Sequence, residues 1–227
     1  MLNLLSTLWL CTSLSWAQND DQLWSSVSTR YRPRKRMRID LNQHLRIDRD
    51  ITRIGSVITE GEIAQSFKNG LRFGLAYRFQ MSSAKKVQLE PQQRADIYGR
   101  FRQKLGKTEL SYRLQYQQGY EGDEEQPWKP EKRHRFGIEY DTDTAFTPAI
   151  SGEIFTKLSP QFSWDKWRGT MALQYKHTKR HIMETYLRMQ TPIADEHEPT
   201  ERIIGLHYQY RFAKKKKKKK KKQSVSP

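Results

Sequence analysis

The residues of this chain with the most chemical capacity are arginines spaced by even numbers of positions within short segments. Arg38 and Arg46, Arg72 and Arg78, and Arg100 and Arg102 form such sets, followed by Arg113, Arg135, Arg168, Arg188 and Arg211. Carboxylates fall on the same parity: Asp40, Glu60, Glu62, Asp96, Glu139, Glu153 and Glu184. A guanidinium and a carboxylate on one surface pair through parallel N–H···O bonds. A surplus of guanidinium around a water-filled space favours anions. The pattern therefore predicts an ion-paired interior that fills and stiffens the fold, or a narrow passage that favours anions.

Other candidates for chemistry are fewer. His134 and His207, each with nearby hydroxyl groups, have the residue types of a membrane-embedded hydrolase or acyltransferase. No serine stands in a nucleophile-elbow context, and the expected interior position of His207 suits hydrogen bonding better. His177 and His181 have the four-residue spacing of helical metal ligands, but they flank an expected hairpin turn, where that spacing does not put them on one face. These residues predict no catalytic, metal or cofactor-binding site.

Positioning such side chains requires β-strands. Between Ile203 and Phe212, residues Ile204, Leu206, Tyr208, Tyr210 and Phe212 share one face, and Gly205, His207, Gln209 and Arg211 share the other. The same period runs through Met37–Ile47. Leu71, Phe73, Leu75, Tyr77 and Phe79 oppose Arg72, Gly74, Ala76, Arg78 and Gln80. It recurs at Ala95–Arg102, Leu110–Gln117, His134–Asp141 and Trp167–Lys176, with Glu153 inside a further segment at Ala149–Leu158. Asn69-Gly70 and Leu105-Gly106 mark tight turns. Residues 82–93 and the acidic stretch 119–131 read as loops. Eleven segments result, with short turns alternating with longer connections.

The fold class predicted is all-β: a transmembrane antiparallel up-and-down β-barrel of about ten to twelve strands. An even number is the usual one for a single bacterial chain, so the irregular first and third segments are the uncertain ones. A soluble β-sandwich also alternates, but it lacks aromatic residues at both strand ends and a systematic short–long order of connections. The lumen-lining residues expected are Arg38, Arg72, Arg78, Arg100, Arg102, Arg113, Glu139, Glu153, Arg168, His207 and Arg211.

Composition fits this reading. Of 227 residues, 35% are hydrophobic and 30% charged, and mean hydropathy is −0.94. Those values suit a disordered chain, but 11% aromatic residues at regular intervals do not. A barrel with a polar inner face reconciles the two. The formal net charge is +17, of which nine charges are the run Lys214–Lys222, leaving +8 for the rest. A nucleic-acid-binding or other soluble basic protein would account for the charge but not for the period.

Residues 1–17 resemble a secretory leader, apolar from Leu2 and ending Ser15-Trp16-Ala17 before a polar stretch. The single cysteine, Cys11, lies within it. The expected organisation is a leader over 1–17, a barrel over 18–212 and a lysine-rich tail over 213–227. The expected location is the bacterial outer membrane, with its lipid, lipopolysaccharide and barrel assembly machinery as partners and nucleic acid not among them.

Several segments resemble a known family: Leu23-Trp24-Ser25-Ser26-Val27, Gln43-His44-Leu45-Arg46-Ile47, the run Gly70–Phe79, Tyr112–Tyr116, Arg133–Tyr140 and the closing Tyr210-Arg211-Phe212. They are similar to an uncharacterised family of bacterial outer-membrane barrels, domain of unknown function 2490, over about residues 22–212. The resemblance implies fold and location and carries no activity. The lysine tail departs from the family's usual ending near the terminal aromatic.

Overall fold

The computed structural model describes residues 19–83, 90–121, 128–158, 162–193 and 198–212. The expected leader, residues 122–127 of the acidic stretch and the lysine tail lie outside them. Eleven strands follow in order: β1 (Asn19–Tyr31), β2 (Met37–Asp48), β3 (Arg53–Ser66), β4 (Arg72–Ser82), β5 (Glu90–Leu105) and β6 (Thr108–Glu121). Then come β7 (Trp128–Tyr140), β8 (Phe146–Lys157), β9 (Ser163–Lys176), β10 (His181–Pro192) and β11 (Thr200–Arg211).

Each strand pairs antiparallel with its sequence neighbour, and the sheet closes into a barrel through β1 and β11. The closing pair is parallel, in register from Asn19↔Thr200 to Arg30↔Arg211. This single seam departs from the all-antiparallel arrangement expected. Its cause is arithmetic: an odd number of alternating strands leaves the first and last running the same way. Backbone bonds from Phe212 N to Arg30 O (2.9 Å) and from Arg211 N to Arg180 O (2.8 Å) tie the end of β11 to both neighbours.

Five connections (32–36, 67–71, 106–107, 141–145 and 177–180) gather at the end where β11 finishes. We call this the carboxyl end. The other five lie at the amino end with Asn19. The two-residue turn 106–107 places Gly106 at φ 60°, the left-handed first position that a tight hairpin demands. The carboxyl-end turns are basic, with Arg32, Arg34, Lys35, Arg36, Lys68, Lys107, Lys179 and Arg180 against Asp141 and Asp143. The described amino-end strand tips carry Asp20, Asp21, Asp48, Asp50 and Glu201, some bridged to Arg53 (Asp48, 3.1 Å) and Arg202 (Asp21, 2.7 Å).

Two bulges adjust the wall. Gly55 is the extra residue where Arg46/Ile47 face β3, and the β8–β9 register shifts between Phe155 and Thr156. A Cβ on Gly55 would meet the Asp48 carboxylate, which would have to swing aside.

The outer face is apolar in a layered way. Leu41, Ile63, Leu75, Ile97, Leu114, Ile138, Ile150, Leu173, Leu187 and Leu206 are exposed along the middle of the strands. Towards the carboxyl end lie aromatic pairs: Tyr31–Phe212, Tyr210–Phe212 and Phe146–Tyr175, with centroids 6.4, 5.1 and 5.0 Å apart. Towards the amino end lie Tyr120–Trp128 (5.0 Å) and Phe162–Trp164 (5.9 Å). An aliphatic band between two aromatic belts results.

Two segments read as loops are partly strand. β4 runs to Ser82 and β5 begins at Glu90, while β6 runs through Gly119 and β7 starts at Trp128. The first read as a loop because it is polar and contains Pro91, the second because it is acidic; Pro91 and Pro130 each remove a ladder donor. Both stand close to the starts of their strands, where that loss is tolerated.

The arginine-lined lumen

Strand period 2 delivers every second side chain to the interior, and the polar parity of the sequence becomes the wall of one cavity of about 1050 Å³. Its lining runs from Arg32 and Arg211 at the carboxyl end to Asp48, Gln92 and Glu201 at the amino end. Fifteen arginines and three lysines line it, against seven carboxylates. Asp40 and Asp96 are buried in the wall. All eleven residues singled out from the sequence, including Glu139, His207 and Arg211, line this cavity.

Ion pairs organise the wall into groups. Near the carboxyl end Arg30 reaches Asp40 (2.8 Å), and Arg38 lies between Asp40 (3.2 Å) and Glu62. Tyr98 donates its hydroxyl to Glu62 (2.5 Å), and its ring lies across Gly74, where a Cβ would collide with it. Arg113 stacks over the same ring at 4.7 Å. Arg102 meets Glu109 (3.0 Å), Arg100 lies 3.7 Å from Glu139, and Arg72 reaches the Ser66 hydroxyl (2.9 Å). Arg211 donates to Gln209 (2.8 Å). In the turn beyond β1, burial first, then Arg30 and Arg38, hold the Arg32 guanidinium below its ordinary pKa.

Further in, Arg78 pairs with Glu60 (2.6 Å) and Arg94 with Asp96 (2.9 Å). Glu153 is the hub on the opposite wall. It is 7% exposed and accepts from Arg133 and Arg168 at 3.0 Å each, with Arg135 at 3.6 Å. Arg168 also bonds Gln190, which donates to Glu201 (2.9 Å).

His207 sits between two serine hydroxyls, Nδ1 at 2.8 Å from Ser26 and Nε2 at 3.2 Å from Ser28. Both ring nitrogens are engaged and neither meets a carboxylate, so the ring has the partners of an interior hydrogen-bonding residue. His134 faces outward, 2.9 Å from the Tyr112 hydroxyl. His181 also faces outward, on Tyr208 (2.6 Å), while His177 lies in the turn. No group of three or more His, Cys, Asp or Glu residues able to hold a metal occurs among the described residues.

Sequence reasoning missed Arg30, Arg94 and Arg133, which share this wall. Arg94, just past what read as a loop, continues the parity of Asp96 and Arg100, and Arg133 continues that of Arg135. It also missed inward apolar residues. Trp24, Ile58, Ile182 and Ile203 are buried on the polar side, together with Phe155, which the period does put on the face of Glu153. Trp24 and Phe155 carry guanidiniums: Arg46 lies 3.9 Å from the Trp24 centroid, and Arg133 and Arg168 lie 4.5 and 4.6 Å from that of Phe155. Aromatic faces attract such cations through the ring quadrupole.

A protein-family model described as "Protein of unknown function (DUF2490)" matches residues 21–198. No curated protein matches the chain.

Proposed function

The chain belongs to the DUF2490 family, and we propose that it is an outer-membrane barrel whose lumen is a narrow, anion-favouring passage. The observation that carries this reading is the surplus of arginine along one cavity touching both ends of the barrel. Charged rings set the sign of the ion that a pore admits. A guanidinium surplus lowers the energy of an anion throughout the lumen.

The outer wall supports a membrane setting. Its aliphatic band would be an apolar patch far beyond the few hundred Å² typical of soluble monomers. Between two aromatic belts it matches the layering that a bilayer imposes on barrels. The leader-like residues 1–17 and the resemblance of the strands favour the bacterial outer membrane. Outer-membrane lipid and lipopolysaccharide would then contact the belts, and the barrel assembly machinery would insert the chain.

The test is planar-bilayer recording on the refolded chain, with heat-modifiable gel migration to establish folding. The expected result is steady single-channel current whose reversal potential in a salt gradient follows the anion. A folded barrel that carries no current, or one that prefers cations, overturns the proposal.

A further inference from the structure

We propose that the lumen contains a discrete binding site for a phosphate-type oxyanion, built by Arg46, Arg168 and Arg188 around the indole of Trp24. The site rests on the lumenal position of these residues in the passage proposed above, and not on conduction itself.

The three guanidiniums come from β2, β9 and β10 and converge on one ring. Their central carbons lie 3.9, 5.8 and 5.1 Å from its centroid for Arg46, Arg168 and Arg188. Strand register explains the convergence. Trp24 stands opposite Arg46 on one side and Gly205 on the other. The missing side chain at Gly205 leaves room that the Tyr186 ring occupies, and a Cβ there would collide with it. Tyr186 in turn carries Arg188, 4.5 Å above its ring. Two aromatic faces thus gather the guanidiniums before any ligand arrives.

Among the described residues, the three guanidiniums meet one carboxylate, Glu153, and only Arg168 pairs with it. Arg168 is partnered by Glu153 and Gln190. Among the described residues, the hydrogen bond of the Arg188 side chain goes to the Thr170 hydroxyl, at 3.0 Å, and it makes no ion pair. Arg46 makes no ion pair or side-chain hydrogen bond among the described residues, and its Nε is buried without an acceptor. The charged groups that share the Trp24 ring with Arg46, those of Arg168 and Arg188, are both guanidiniums. An aromatic ring holds a cation but does not neutralise it, so donors are left unfilled around a cavity that solutes can occupy.

The chemistry that fills this deficit is a compact dianion with several acceptor oxygens. A carboxylate has two oxygens and satisfies one fork, whereas a tetrahedral phosphate can accept from forks on three strands at once. Inorganic phosphate and the phosphate group of a small phosphorylated solute share that chemistry.

The experiment is calorimetric titration of inorganic phosphate into the folded full chain in detergent, with ionic strength held constant by chloride. Glycerol phosphate is titrated in parallel as the phosphomonoester. Saturable binding is expected, weakened about tenfold or more in both R46Q and R188Q, a loss of at least one good charge-assisted contact. K179Q, which removes a turn charge outside the lumen, should bind like the parent. R46Q deletes an uncompensated cation and should fold; R46K, which keeps charge but loses the fork, gives an intermediate affinity and serves as the second variant. Tighter binding of the monoester than of phosphate assigns the site to phosphorylated solutes, and the reverse to the free ion. No saturable binding in the parent, or equal binding in all variants, overturns the site. Binding without current removes the passage and keeps the site, and current without Arg46-dependent binding does the opposite.

Discussion

Replacing Glu153 by glutamine tests the ion-paired wall at its most connected point. The carboxylate is nearly buried, and Arg133, Arg168 and Arg135 lie 3.0, 3.0 and 3.6 Å from it. At an effective dielectric of about 20, each 3.0 Å contact has a gross attraction of about 5 kcal/mol. Desolvation of the carboxylate offsets most of the sum. The substitution keeps shape and some hydrogen bonding but leaves three guanidiniums facing one another without a counter-charge. Removing one partner of a buried pair costs about 3–5 kcal/mol, and water in the lumen puts the expectation at the lower end. Urea unfolding of the barrel in lipid vesicles, followed by tryptophan fluorescence and by the fraction retaining folded gel migration, measures it. A second variant, E153Q with R168Q, removes one of the stranded cations and should recover part of the loss. A loss below about 1 kcal/mol in E153Q, or no recovery in the double variant, would refute the picture of Glu153 as a charge hub.

Other outcomes follow from the same geometry. G205A should destabilise the barrel by about 1–3 kcal/mol, because its methyl group enters the space of the Tyr186 ring; the same urea titration checks it, and Y186A in the G205A background should relieve the clash. L75R, in the middle of the outer aliphatic band, should cost about 2–4 kcal/mol in bilayers, whereas A76R, one residue on and facing the lumen, should not show that depth-dependent penalty. R72Q with R100Q, at the carboxyl-end mouth, should shift the reversal potential towards lower anion preference while leaving folded gel migration unchanged.

Much of this architecture is written in the alternation of the chain. Leu71–Gln80 and Ile203–Phe212 each declare two faces without ambiguity, and the eleven alternating segments correspond to eleven strands. The parallel seam is not legible, because a period-2 pattern specifies which side of a strand faces inward and nothing about which edge it meets. Nor are the inward apolar residues. In Ile203-Ile204 both parities are apolar, and only the alternation that follows assigns Ile204 to the outside and Ile203 to the lumen. Trp24 is the instructive case. Its parity matches Ser26 and Ser28, yet its character suggests the outer wall, and its use emerges only when Arg46, Arg168 and Arg188 from distant strands arrive around it. Convergence across strands has no local signature in sequence.

The parallel seam also makes the ring one that cannot be cut and resealed at will. In an even-stranded barrel the two termini emerge on one rim, so a short linker joins them and new ends can be opened in any turn. Here Asn19 and Arg211 belong to opposite rims, separated by a strand of a dozen residues, about 40 Å when extended. A circular permutant would need a linker spanning that distance, and only two routes exist. On the outer wall, in the bilayer setting proposed above, an irregular backbone would leave its polar groups without partners. Through the lumen, it would have to pass among the guanidiniums of Arg46, Arg168 and Arg188.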